Sequence, residues 1–150
     1  MEELETLRRY IESGDLNGAL AVLDEMEAMS KEDKINRVRS YLVVLLIHMI
    51  KESIEQRTTR SWQNSIRLAL HQIEHHNKRR KAGGSYVPAE DMPSLVAEAM
   101  ETAIIAASTE VLEGTLSPEE VEERIDRKAL VAQALSSIAP QFKRESSAPA

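Results

Sequence analysis

The chain has 150 residues, 42% hydrophobic and 29% charged, with a net charge of −6; these proportions exclude a disordered chain and fit one globular domain. It has no cysteine and only 3% aromatic residues, which excludes disulfides, zinc ribbons and cysteine nucleophiles and disfavours a strand-rich fold. The longest apolar run, Tyr41 to Ile50, is ten residues, where a membrane helix needs roughly 20.

Leu4, Leu7, Tyr10 and Ile11 recur at helical spacing, and Ser13-Gly14-Asp15 stops that helix. Asp15 caps a second helix striped by Leu16, Leu20, Leu23 and Met26. "SGDLNGALAVLDEM" resembles the turn of a tetratricopeptide hairpin, but no second copy follows at the required period of about 34 residues, so a lone hairpin over 2–29 is expected. Ser30, with Asp33 three residues on, opens a third helix over Lys31 to Gln56 whose middle is apolar nearly all round. Thr58, Thr59 and Ser61 mark a break. The next helix, Ser61 to Lys81, places Trp62, Ile66, Ala69, Leu70 and Ile73 on one face, with Trp62 as a packing anchor. Residues 82–88 form a loop. Asp91-Met92-Pro93 opens a helix that runs to Val111, with Gly114 as its stop. Ser117-Pro118-Glu119-Glu120 is a capping box opening the last helix, which ends before Pro140. The expected architecture is all-α: a single helical domain over 1–139, with an N-terminal hairpin (2–29) followed by an antiparallel up-and-down four-helix bundle (31–139). Residues 140–150 are expected to form a disordered tail.

Charge is uneven. Residues 51–81 carry eight Lys/Arg against three Asp/Glu, and residues 82–126 carry one against eleven. Such a division marks binding faces or two neighbouring helices that attract.

Three clusters carry candidate chemistry. His71-Gln72-Ile73-Glu74-His75 fits the H-x-x-E-H pattern of inverted zinc peptidases. His71 and His75 are one helical turn apart, and Glu74 can activate a bound water. The helical wheel turns both histidines off the face of Ile73, so a solvated polar face competes with the metal reading. Arg67 and Lys78-Arg79-Arg80-Lys81 offer phosphate contacts for nucleic acid. Four cations at a helix C-terminus also suit the helix dipole. His48, inside the apolar run, with Arg60 and Ser65 across the next turn, is a candidate polar centre or a core-edge histidine.

The run ending Leu45-Leu46-Ile47-His48-Met49-Ile50-Lys51, followed by Arg60-Ser61-Trp62-Gln63-Asn64-Ser65-Ile66, resembles the bacterial family catalogued as domain of unknown function 29. The similarity spans roughly residues 7 to 113. The resemblance implies an all-α fold and a bacterial cytoplasmic protein, with no activity and no cofactor to carry over. His48, Lys51, Arg60, Trp62 and Ser65 match the family's motif positions. Where family members carry several arginines this chain has Arg67-Leu68-Ala69-Leu70-His71-Gln72.

The leading expectation is a soluble, cytoplasmic, non-catalytic protein-interaction or assembly module, with a protein partner or self-association and no membrane contact. Nucleic-acid binding and metal-dependent hydrolysis are the alternatives. Ala99, Ala103, Ala106 and Ala107 let helices approach closely, within the fold or between chains. An interaction protein should show a contiguous exposed apolar patch.

Overall fold

The computed structural model describes residues 2–79 and 82–146, the last two by their backbone alone. Its regular structure is helical, as the shortage of aromatic residues predicts, apart from one isolated antiparallel bridge between Lys78 and Ser85. The helices are α1 (Glu2–Glu12), α2 (Leu16–Glu55), α3 (Arg60–Asn77), α4 (Met92–Ser108), α5 (Pro118–Arg124) and α6 (Arg127–Ser146). A 3-10 turn, Val111–Gly114, lies between α4 and α5. The chain divides into two compact units, residues 1–34 and residues 35–150, and α2 contributes to both.

In the first unit Gly14 takes a φ of +76° and ends α1, where a side chain would be strained. Asp15 then caps α2: its carboxylate accepts the Gly18 N–H at 2.9 Å. Gly18 is required by the packing, because a Cβ there would sit 2.5 Å from the Tyr10 ring. Ala19 and Val22 are buried beside it.

In the second unit the core is built from Val38, Leu42, Leu45, Leu46 and Ile50 of α2, Ile73 of α3, and Val96, Met100 and Ala103 of α4. Ala99, Ala103 and Ala107 are all buried, so the alanine stripe of α4 serves close packing inside this unit. Ion pairs set one helix direction. Arg39 meets Glu98 at 3.5 Å and Lys51 meets Glu110 at 3.3 Å, so α2 and α4 advance together and run parallel. Tyr41 stacks on His76, with ring centroids 5.5 Å apart, while Lys51 lies over Trp62. Progress along α2 therefore matches retreat along α3, and these two are antiparallel. α6 packs on both α3 and α4.

Several boundaries differ from expectation, among them the end of α3, at Asn77 instead of Lys81. Ser30 does not start a helix; α2 continues through it. The surrounding Glu27-Ala28-Met29-Ser30-Lys31-Glu32 holds good helix formers and no Gly or Pro, so a potential cap has no break to cap. The long final helix is instead divided at Ile125, whose backbone is extended. Asp126 restarts it by accepting the Ala129 N–H at 3.1 Å. α6 does not stop before Pro140 but carries it inside and continues to Ser146. Pro140 and Ser136 are both exposed, so water can satisfy the carbonyl that proline leaves without a donor. Beyond it Gln141 is buried and Phe142 packs on the core, which holds the last turns in place. Residues 140–146 are thus helical where a disordered tail was expected, and residues 147–150 lie outside the described residues. Finally, α4 ends at Ser108, where the Thr109 and Glu110 N–H groups bond back to Ala106 and Ala107, and Leu112 and Glu113 then turn left-handed (φ 45° and 59°) ahead of Gly114.

Candidate functional site

The corner between α2 and α3 holds two of the family-motif residues. α2 ends at Glu55, and Gln56 after it takes a φ of 52°. Thr59, in extended conformation, caps α3, its hydroxyl accepting the Trp62 N–H at 3.0 Å. This cap fixes the indole between two cations. The Lys51 ammonium lies 4.9 Å from the ring centroid and the Arg57 guanidinium 4.6 Å. Each cation is also held by an acid. Lys51, only 9% exposed, pairs with Glu110. Arg57 donates to Glu55 at 2.9 and 3.1 Å. The second oxygen of Glu55 accepts the Leu112 N–H at 3.3 Å, on the left-handed turn. Trp62 is therefore half-buried in a polar clasp, not a core anchor as expected.

The other motif residues do not join it. His48 hydrogen-bonds through Nδ1 to the Val44 carbonyl of its own helix, at 2.8 Å. Arg60 is exposed and Ser65 half-buried. Among the described residues no hydrogen bond or ion pair links His48 to Arg60 or Ser65, so the expected polar centre is not assembled. The clasp offers ion pairing and cation–π contact, and it ties the α2–α3 corner to the turn after α4.

A family model with the description "Domain of unknown function DUF29" matches residues 2–129. The chain belongs to that family. The DUF29 match reaches further at both ends than the stretch 7–113 that carries the resemblance in sequence. No curated protein and no solved structure matches the chain.

In this DUF29 chain the H-x-x-E-H segment lies on an open side of α3. His71 and His75 are exposed, in keeping with the helical wheel. Glu74 is engaged by Arg144 of α6, whose Nε donates to Oε1 at 2.8 Å while Nη2 pairs with Oε2. Among the described residues no group of three His, Asp or Glu converges to hold a metal ion. A metal would need a third ligand, which the described residues do not supply, and the carboxylate that would activate water is occupied by a guanidinium.

The Arg144 hydrogen bonds hold the Glu74 carboxyl below its usual range. A depressed carboxyl stabilises the fold above its unfolded value, about 4.3. That contribution fades as the pH falls through the lower folded value. Glu74→Gln is therefore expected to melt earlier than wild type at about pH 6 and by a smaller margin at about pH 3, with melting curves across that range as the check. Equal melting at both pH values would leave the pair with no role in stability.

Of the basic cluster, Lys78 is exposed and Arg79 lies over Tyr86 at 5.6 Å. Arg80 and Lys81 lie outside the described residues. Arg67 shares one side of α3 with Arg60, Asn64, His71 and His75, all exposed, within an arc of about 80° at roughly 100° per residue. Glu98 and Glu101, candidates to neutralise that cluster, are engaged by Arg39 and Arg127.

Sequence reasoning missed Asn77, the last residue of α3. It is buried, donates through Nδ2 to the Val87 carbonyl at 2.9 Å and accepts the Val87 N–H at 2.8 Å. Its own carbonyl accepts from Tyr86 N–H, also at 2.9 Å. Asn77 thereby anchors the loop that carries Lys78 and Arg79. The signal was an amide side chain immediately before a turn, where Asn commonly bonds the main chain.

Proposed function

We propose that this protein is a non-catalytic interaction or assembly module of the bacterial cytoplasm. Residues 35–150 serve as the scaffold, an antiparallel up-and-down four-helix bundle of the C-terminal part of α2 with α3, α4 and α6. The parallel α2–α4 and antiparallel α2–α3 contacts support that arrangement. Residues 1–34 carry the contact face.

One observation carries the reading. Among the described residues, six of the ten exposed large hydrophobic side chains fall in the first 34 positions: Leu4, Ile11, Leu16, Leu20, Leu23 and Met29. Leu16, Leu20 and Leu23 share one helix face by their spacing, and Leu16 and Ile11 are 70% and 64% exposed. The remaining four, Val44, Leu68, Ile105 and Leu112, are dispersed over the other unit. Scattered apolar residues are normal on a surface, whereas a shared apolar face marks a contact. Among the described residues no helix is long and apolar enough to cross a membrane.

The test uses full-length protein and the triple variant Leu16→Gln/Leu20→Gln/Leu23→Gln. The variant is expected to keep the wild-type melting curve, because these side chains already face solvent. It is expected to lose either self-association, read by light scattering, or binding to amphipathic helical peptides with basic, acidic or neutral polar faces. A wild-type protein that stays monomeric and takes none of the peptides would remove the reading.

The exposed arc of Arg60, Arg67, His71 and His75 favours polyanion binding as a second reading. It expects salt-dependent uptake of a duplex oligonucleotide, undiminished in the triple variant.

A further inference from the structure

We propose that the partner on the N-terminal face is a basic amphipathic helix of another protein, not a second copy of this chain. The inference rests on the interaction reading above and supplies the chemistry of the partner.

Charge decides between the two occupants. The first 34 residues hold ten acidic and four basic side chains, which accounts for the whole net charge of −6. The other 116 residues hold fifteen of each sign. Within the face the bias is stronger still. Between Arg9 and Lys31 there are five carboxylates and no cation. Asp15 spends its carboxylate on the Gly18 N–H of the α2 cap. Glu27 continues the stripe of Leu16, Leu20 and Leu23, and Asp24 lies on its flank, by the 100° step of a helix.

A symmetric pairing of two copies would set this patch against itself. It would gather the carboxylates of both copies, ten acidic against four basic side chains in each, inside a screening distance of about 8 Å. A helix with leucine-like side chains on one side and Lys or Arg beside them answers both properties of the face. Its apolar side covers Leu16, Leu20 and Leu23, and its cations meet Asp24 and Glu27.

The test titrates three peptides of equal length into full-length protein: an amphipathic Leu/Lys helix, the same pattern with Glu for Lys, and a scrambled Leu/Lys sequence. The Leu/Lys helix is expected to bind at least tenfold more tightly than either of the others and to weaken with added salt. Leu16→Asp/Leu20→Asp adds two carboxylates, so attraction by charge alone would strengthen; at least a tenfold loss is expected. Leu16→Gln/Leu20→Gln, with a circular dichroism melt, repeats the measurement in case the aspartates disturb the fold. Equal binding of the scrambled peptide would overturn the proposal in favour of unspecific attraction. Equal binding of the Leu/Glu helix would overturn the charge inference and leave the apolar contact standing. A dimer that dissolves in the Gln variant would do the same, with a second copy as partner. No binding and no self-association would remove both readings.

Discussion

Alanine in place of Asn77 is expected to destabilise residues 35–150 by about 2–6 kcal/mol. The side chain is buried and satisfies both main-chain groups of Val87 at once. Removing it strands a buried donor and a buried acceptor, at about 1–3 kcal/mol for each. Asn77→Asp separates the two roles. It keeps an acceptor for the Val87 N–H but sets a carboxylate against the Val87 carbonyl. It is expected to be no better than alanine at neutral pH and to recover in acid, where the protonated carboxyl donates again. Urea unfolding at two pH values reads both effects. A loss under about 0.5 kcal/mol for the alanine variant would mean that water replaces the amide without penalty.

The second large effect is expected at Leu46, with no exposed surface in the core of the second unit. Leu46→Ala should destabilise by about 2–5 kcal/mol through lost apolar burial and the cavity left behind. The same substitution at Leu20, on the same helix but 49% exposed, should stay within about 0.5 kcal/mol. The pair of measurements separates a leucine that folding requires from one that folding does not use. Equal losses at the two positions would mean that Leu20 is covered in solution and would withdraw it from the contact face.

The parts of the fold that are legible in the sequence are those governed within four residues of chain. Ser117 and Glu120 form both hydrogen bonds of the capping box. Asp15 caps as its position before Leu16 implies. Pro93 sits at the start of α4. What could not be read was decided by distant partners. Ser30 has the form of a cap, but a cap sequence permits a helix start without compelling one. Pro140 is a strong local stop signal, yet Phe142 and the Arg144–Glu74 pair lie beyond it and oppose it. The left-handed turn at Leu112 and Glu113 uses residues that seldom adopt it, and its anchor, Glu55, is 57 positions away in sequence. The candidate clasp was half legible. Lys51 and Trp62 were singled out by the family resemblance, but Arg57 and the acids that hold the two cations, Glu110 for Lys51 and Glu55 for Arg57, were not. No local pattern announces that Glu110 will meet Lys51 from 59 positions away.

Trp62 is the only tryptophan in the chain, and it sits at a corner where α2, α3 and the turn after α4 are tied together. Its emission is therefore a local reporter. Excited at the red edge of absorption, where tyrosine is silent, the protein should signal the opening of that clasp. A fluorescence melt that leads the circular dichroism melt would show the corner opening ahead of the helices. Coincident curves would make the corner and the core one cooperative unit.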